Sequence, residues 1–224
     1  MTTDDRTRTG GGREPGRQAA TADRALAAAL GLQVPAAEPA AAARAAARFA
    51  ADAPADAWYA VEESPLGTLV AVVTERGLAR LAYADHGGGP DAVLDRVAAR
   101  LSPRLLEAPG RLDRVRRELD EYFAGRRTTF DVGVDWALVT PFARRVLRAT
   151  AAVPFGATTS YGRVAAAAGS PRGSRAAGNA LGSNPVPIVV PCHRVLHAGG
   201  GLGGYTGGLD RKLHLLRLES VLPG

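Results

Sequence analysis

The chain has 224 residues, 46% of them hydrophobic and 22% charged, with a formal charge of +6. These proportions suit one large or two small folded domains and exclude wholesale disorder. No stretch approaches the roughly 18 apolar residues of a membrane span, the first residues lack the apolar centre of a secretory leader, and the single cysteine, Cys192, excludes an internal disulfide or a multi-cysteine zinc site, so the expected setting is the reducing cytoplasm.

Residues 1–20, rich in Gly, Thr, Arg and Asp and without period, are expected to be disordered. The alanine-dominated stretch 21–53, broken near Pro35 and Pro39, is expected to form two helical pieces marked by Leu26, Leu30 and Phe49. Residues 1–55 thus read as an extension, and from Trp58 the texture changes. Trp58–Glu62, Thr68–Val73 and Leu78–Ala84 are β-type runs separated by turn-forming Ser64-Pro65-Leu66-Gly67 and Glu75-Arg76-Gly77, which predicts an antiparallel meander. A helix from about Pro90 places Val93, Leu94, Val97 and Leu101 on one face. Another over Leu112–Phe123 aligns Leu112, Val115, Leu119 and Tyr122 and stops at Gly125. Phe130, Val132 and Val134 alternate like one more strand. Residues 56–139 therefore read as an α+β domain without concentrated chemistry.

The unit 140–224 opens on Thr140-Pro141, an N-cap followed by proline at the first helical position, and its helix carries Phe142, Val146, Leu147 and Ala149 up to Pro154. Ser160 starts a second helix through Tyr161, Val164 and Ala168 to Gly169. Ser170-Pro171 starts a third, through Arg175 and Ala177 towards Gly182. Two short helices around a Gly-Ser-Pro turn have the form of a helix-turn-helix. Small residues on the second (Gly173, Ser174, Ala176, Ala177, Gly178, Ala180) allow close approach either to a nucleic-acid groove or to a neighbouring helix. Residues 141–224 carry +8 and residues 1–140 carry −2, a concentration that favours a polyanionic partner. A last helix from Leu209 to about Glu219 is expected to turn Leu209, Leu213 and Leu216 to the core.

The chemistry concentrates in Asn184-Pro185-Val186-Pro187-Ile188-Val189-Val190-Pro191-Cys192-His193-Arg194-Val195. Three prolines stiffen a segment that ends in adjacent Cys192 and His193 and leads into a glycine-rich loop. A lone cysteine is more often an inert apolar residue. An adjacent imidazole is what a reactive thiolate needs. Glu219 is one of two carboxylates late in the chain; on spacing alone it reads as a solvated helix-end residue.

The stretch Pro187 to Val195 closely resembles the active-site segment of O6-alkylguanine-DNA alkyltransferases, the methylated-DNA–protein-cysteine methyltransferases. Ser160-Tyr161-Gly162, Ser174-Arg175-Ala176, Asn184-Pro185, Tyr205-Thr206-Gly207-Gly208-Leu209 and Leu215-Leu216-Arg217-Leu218-Glu219 agree in order and spacing. The resemblance is strong over 141–219 and general over 57–140. It implies an α+β fold: a small ribonuclease H-like sheet-plus-helices domain followed by a mostly helical DNA-binding domain.

It further implies that Cys192, poised in its ionised form, accepts the alkyl group from guanine O6, with O4 of thymine as a further substrate, in one irreversible turnover. His193 would deprotonate the thiol through water, Glu219 would orient the imidazole, and Asn184 would brace the turn. Tyr161 would donate to guanine N3. Arg175 would replace the everted nucleotide in the stack, with Ala176, Ala177 and Gly178 in the minor groove. The carbonyls of Cys192 and Val195, the amides near Tyr205 and Thr206, and the ring of Pro187 would form the base pocket. The expected partner is double-stranded DNA containing alkylated bases, bound by a monomer without cofactor. No metal is expected, since His86 is the only histidine and no cysteine lies in the first domain. Two competing readings are an alkyltransferase-like damage sensor, against which Cys192 argues, and a cysteine hydrolase, which leaves the basic segment without purpose.

Overall fold

The computed structural model describes residues 55–223, which belong to one compact unit. The expected disorder over 1–20 and the alanine-rich helices over 21–53 lie outside the described residues. The meander forms where the β-type runs place it, as β1 (Ala57–Glu62), β2 (Leu69–Thr74) and β3 (Gly77–Tyr83), each antiparallel to the next. β2 is a continuous apolar run because both its faces are covered. Leu69, Ala71 and Val73 enter the main core, while Val70 and Val72 pack with Val93 and Val97 of α1 (Pro90–Arg100). A fourth strand, β4 (Leu105–Glu107), pairs parallel with β1 to give the order β3-β2-β1-β4. Three residues are too few to announce a period, so the sequence does not reveal it.

α2 (Asp113–Phe123) buries Val115, Glu118, Leu119 and Tyr122. The alternation at Phe130, Val132 and Val134 does not become a strand. Glu118, 1% exposed, accepts the backbone N–H of Asp131 at 2.8 Å and of Val132 at 3.1 Å, so a side chain takes the donors a neighbouring strand would have used. Only an isolated bridge, Leu78 to Val134, remains, and the three apolar side chains still pack on the core.

α3 (Pro141–Ala151) is capped by Thr140, whose Oγ1 accepts from the Ala143 N–H at 3.3 Å. The short β5 (Thr159–Ser160) leads into α4 (Tyr161–Ala167), where Ser160 Oγ accepts from Arg163 N–H at 3.3 Å. α5 is Ser174–Gly182 and starts later than Ser170-Pro171 suggests. The Ser170 carbonyl accepts from Gly173 N–H at 2.8 Å, so residues 170–173 close on themselves as a turn before the helix begins.

β6 (Val195–Leu196) pairs parallel with β5, and α6 (Leu209–Leu218) ends the fold. α6 is rotated from the expected face. Leu209 is 48% exposed and Leu213 half-buried, whereas Lys212, Leu215, Leu216 and Glu219 point inward at the i, i+3, i+4, i+7 spacing of a buried stripe. Two charged residues in that stripe hide it from a hydrophobicity pattern.

One core runs through the whole described fold: Trp58, Leu81 and Tyr122 share a cluster with Val146, Val164, Ile188 and Leu215. The edge of β3 is also engaged, since Leu81 N–H donates to the Pro185 carbonyl at 2.8 Å. The sheet is thereby bonded to the loop that carries Cys192.

Candidate active site

Residues 184–196 reach Cys192 through two three-residue turns. Val189 N–H donates to the Pro187 carbonyl at 2.9 Å and holds Ile188 at φ +73°, which a β-branched residue rarely adopts. Cys192 N–H donates to the Val190 carbonyl at 2.8 Å around Pro191, whose φ of −80° and ψ of 64° suit the proline ring. Strain at Ile188, on the order of 1–3 kcal/mol, is tolerated because the side chain is buried in the core. Asn184 fixes the result: its Oδ1 accepts from Val186 N–H at 3.1 Å, and its Nδ2 donates to the Val190 carbonyl at 2.9 Å and to Cys192 Sγ at 3.2 Å.

Cys192 is 5% exposed. Burial pushes its thiol up to about 11, against the opposing pull of the Asn184 hydrogen bond and the Lys212 charge. The expectation of a sulfur resting in its ionised form is therefore corrected: at neutral pH the undisturbed group is the thiol, because desolvation outweighs its donors.

His193 is fully buried, and burial first of all lowers its pKa from the ordinary imidazole value. Its Nε2 lies 2.9 Å from Glu219 Oε1. Glu219 is held at about 2 despite its burial, chiefly by hydrogen bonds from His193 and Arg194. An ionised carboxylate only accepts, so Nε2 carries the imidazole proton and Nδ1 keeps its lone pair. Nδ1 is buried and has no hydrogen-bond partner among the described residues.

Glu219 is thus no solvated helix-end residue. Five donors converge on it: Tyr122 Oη at 2.7 Å, His193 Nε2, Arg194 Nε and Nη2 at 2.8 Å each, and Gly156 N–H at 3.3 Å.

Cys192 lies on the wall of a cavity of about 830 Å³ that also takes in Tyr161, Arg175, Gly178, Tyr205 and Thr206. Tyr161 packs against His197 with ring centroids 5.2 Å apart. Gly203, at φ +66°, suits glycine, because a side chain is strained there and a Cβ would meet the Tyr161 hydroxyl and ring.

Three sequence-derived pocket or groove residues lie elsewhere. Pro187 lines a second cleft, where the turn at Ile188 carries it. Val195 is fully buried, and its carbonyl accepts from Lys212 Nζ at 2.7 Å. Ala177 is fully buried in the core, so its smallness serves helix packing, whereas Ala176 is exposed beside Arg175 and outside the cavity wall.

Three residues with no sequence-derived role complete the site. Arg194 stands within the recognised motif, yet its contacts to Glu219 and to the Val153 carbonyl at 2.6 Å follow only from the fold. Tyr83 Oη lies 3.0 Å from Tyr205 Oη, so β3 supports a wall of the cavity. Lys212, the only lysine of the chain, is fully buried, and burial lowers its pKa to about 8. Its Nζ donates to the carbonyls of Val195, Leu202 and Gly204 and ties the glycine-rich loop to the site. A single lysine in an arginine-rich chain was the one available signal.

Comparison with known proteins gives this geometry a family. Residues 58–136 match the ribonuclease-like domain of 6-O-methylguanine DNA methyltransferase, and residues 141–221 match the DNA binding domain of the same family. A methylated-DNA–protein-cysteine methyltransferase from Mycolicibacterium paratuberculosis is 42% identical over 161 residues, covering 72% of this chain and 91% of the relative. The constitutive one of Bacillus subtilis is 35% identical, with 73% and 96% covered. Among solved structures, Mycobacterium tuberculosis OGT in complex with DNA aligns at a TM-score of 0.64 and 38% identity over 73% of this chain and 93% of that one. With both halves matched in order and Cys192 set within the second of them, ahead of the closing helix, the chain belongs to the 6-O-methylguanine DNA methyltransferase family.

Proposed function

We propose that this chain repairs DNA by direct reversal, moving a methyl group from O6 of guanine to Cys192 Sγ in a single irreversible turnover, with O4 of thymine as a further substrate. The observation that carries this reading is the sulfur on the wall of an 830 Å³ cavity, hydrogen-bonded by Asn184 and followed in the chain by an imidazole bonded to an ionised carboxylate. The thiol rests protonated, so a base is required. The neutral His193, with its proton on Nε2, offers Nδ1 for that purpose through water, and Glu219 stabilises the imidazolium that forms. Sulfur then attacks the methyl carbon, the S–C bond forms as the C–O6 bond breaks, and the electron pair leaves with the base. Tyr161, on the wall of the same cavity, donates to the departing purine and relieves its negative charge. The thioether has no route back, so each molecule acts once.

The target carbon is inaccessible inside a duplex, so the base is everted into the cavity. Arg175, exposed at its rim on α5, fills the gap in the stack, and Gly178 and Ala176 keep the surface beside it low enough for the minor groove. α4 and α5 then act as the two helices of a helix-turn-helix, residues 140–224 carry DNA binding and transfer, and residues 56–139 serve as scaffold. Among the described residues no helix is long and apolar enough to cross a membrane. We place the protein in the cytoplasm, as a monomer on alkylated duplex DNA.

The test is to incubate the full chain with a duplex containing O6-methylguanine and weigh it. One methyl gained, once, on the peptide bearing Cys192 is expected, and Cys192→Ala should gain none while still binding the damaged duplex. Continuing product release without a mass gain would sink the reading.

A further inference from the structure

A second cleft, of about 240 Å³, opens behind the first. Arg80 and Tyr83 of β3, His86, Arg96 of α1, and Pro187 and Thr206 are among its walls, and no carboxylate lines it. Thr206 also borders the cavity of Cys192, so the two spaces share a wall residue. Arg80 alternates with Ala82 on the α1 face of β3, at the edge of the sheet, which brings its guanidinium beside the helix.

Cations gather at this place, and among the described residues no carboxylate pairs with Arg80, Arg96 or Arg100. Arg96 spends one N–H on the Gly87 carbonyl at 2.7 Å, and Arg100, one turn further on, spends one on the Leu138 carbonyl at 2.7 Å. Asp85, next to His86 in the chain, is committed to Arg211 at 2.7 Å. Burial first, and then the like charges of Arg96 and Arg100, weaken the hold of Arg80 on its proton. Like charges gathered around a concave, partly desolvated space are destabilising until an anion enters it. Guanidinium groups present paired N–H donors that match tetrahedral oxyanions.

We propose that this cleft is a binding site for a phosphate-type oxyanion, held by Arg80 and Arg96. The phosphate has two sources: a phosphodiester of the DNA strand whose base enters the neighbouring cavity, or a free phosphate group. Oxyanion binding itself does not depend on the transferase reading; only the DNA source does.

The experiment uses the full chain, Arg80→Met and Arg96→Met, with Arg126→Met, an exposed arginine at the end of α2, as the charge control. In the first arm, inorganic phosphate is titrated calorimetrically at constant ionic strength. One saturable site is expected, weakened about tenfold in Arg80→Met and Arg96→Met and unchanged in the control. In the second arm, the affinity for undamaged duplex is followed by fluorescence anisotropy over a salt series. A severalfold loss in Arg80→Met, with the logarithmic salt slope smaller by about one, assigns the DNA phosphodiester as source. Unchanged duplex binding with weakened phosphate binding assigns free phosphate. If both cleft variants match the control in both arms, the site does not exist. Should Arg80→Met fail to fold, Arg96→Met alone decides. Mass gain at Cys192 is measured on the same samples, so a failed transfer reaction cannot be mistaken for a failed anion site.

Discussion

Glu219 ends a helix, where the backbone dipole disfavours negative charge, and it is buried as well. Its ionisation is therefore maintained by its donors, and each donor can be tested. Tyr122→Phe removes one hydrogen bond without emptying the core. We expect a stability loss of about 2 kcal/mol in urea denaturation and a severalfold slower transfer with damaged-duplex affinity unchanged, and an unaltered rate would deny Tyr122 any hold on the imidazole. Glu219→Gln leaves Arg194 without its counter-charge and should cost about 3 kcal/mol or more at neutral pH. The pH dependence has a fixed sign. The folded carboxyl is held at about 2, below its ordinary value of 4.5, so its contribution is present above that value and lost as pH falls towards 2. Across this window wild-type stability should fall more steeply than that of Glu219→Gln, and parallel curves would exclude the group. Cys192, His193, Asn184, Tyr161 and Arg175 were legible because each lies in a short run of sequence with its own pattern. Tyr122, 97 residues from the carboxylate it bonds, left no local trace.

The legible elements are those whose local chemistry and tertiary surroundings agree: the meander, the capped α3 and α4, and the amphipathic α1 and α2. Disagreement arose where a polar side chain took a backbone's place or a core position, as Glu118 does beneath residues 130–134 and Lys212 does within α6. α5 carries an element-scale prediction of its own. Its inner side is packed through Ala177, Ala180 and Leu181, and Arg175 projects from the exposed side, so truncating Arg175 should leave the helix intact. Arg175→Ala should slow repair of methylated duplex by tenfold or more while leaving reaction with the free alkylated base unchanged. Equal slowing of both substrates in single-turnover assays would remove Arg175 from any part in eversion.

The two matched segments are joined across their length by Leu81 to Pro185, Tyr83 to Tyr205 and Tyr122 to Glu219, besides a shared core. They should therefore lose structure together. Trp58 and Trp136 are the only tryptophans and both report on the first segment, while Cys192 reports on the second. Tryptophan fluorescence and Cys192 labelling should give the same urea midpoint, and a thiol exposed well before the fluorescence changes would mean independent halves. Lys212 has a consequence for the molecular surface. As the sole lysine, sealed inside and capped by three carbonyls, it leaves the native fold with no side-chain amine facing water. Acylating dyes, amine-directed cross-linkers and any conjugation chemistry that seeks an ε-amino group will find the folded protein inert along its side chains, and will mark it there only once the glycine-rich loop has come away.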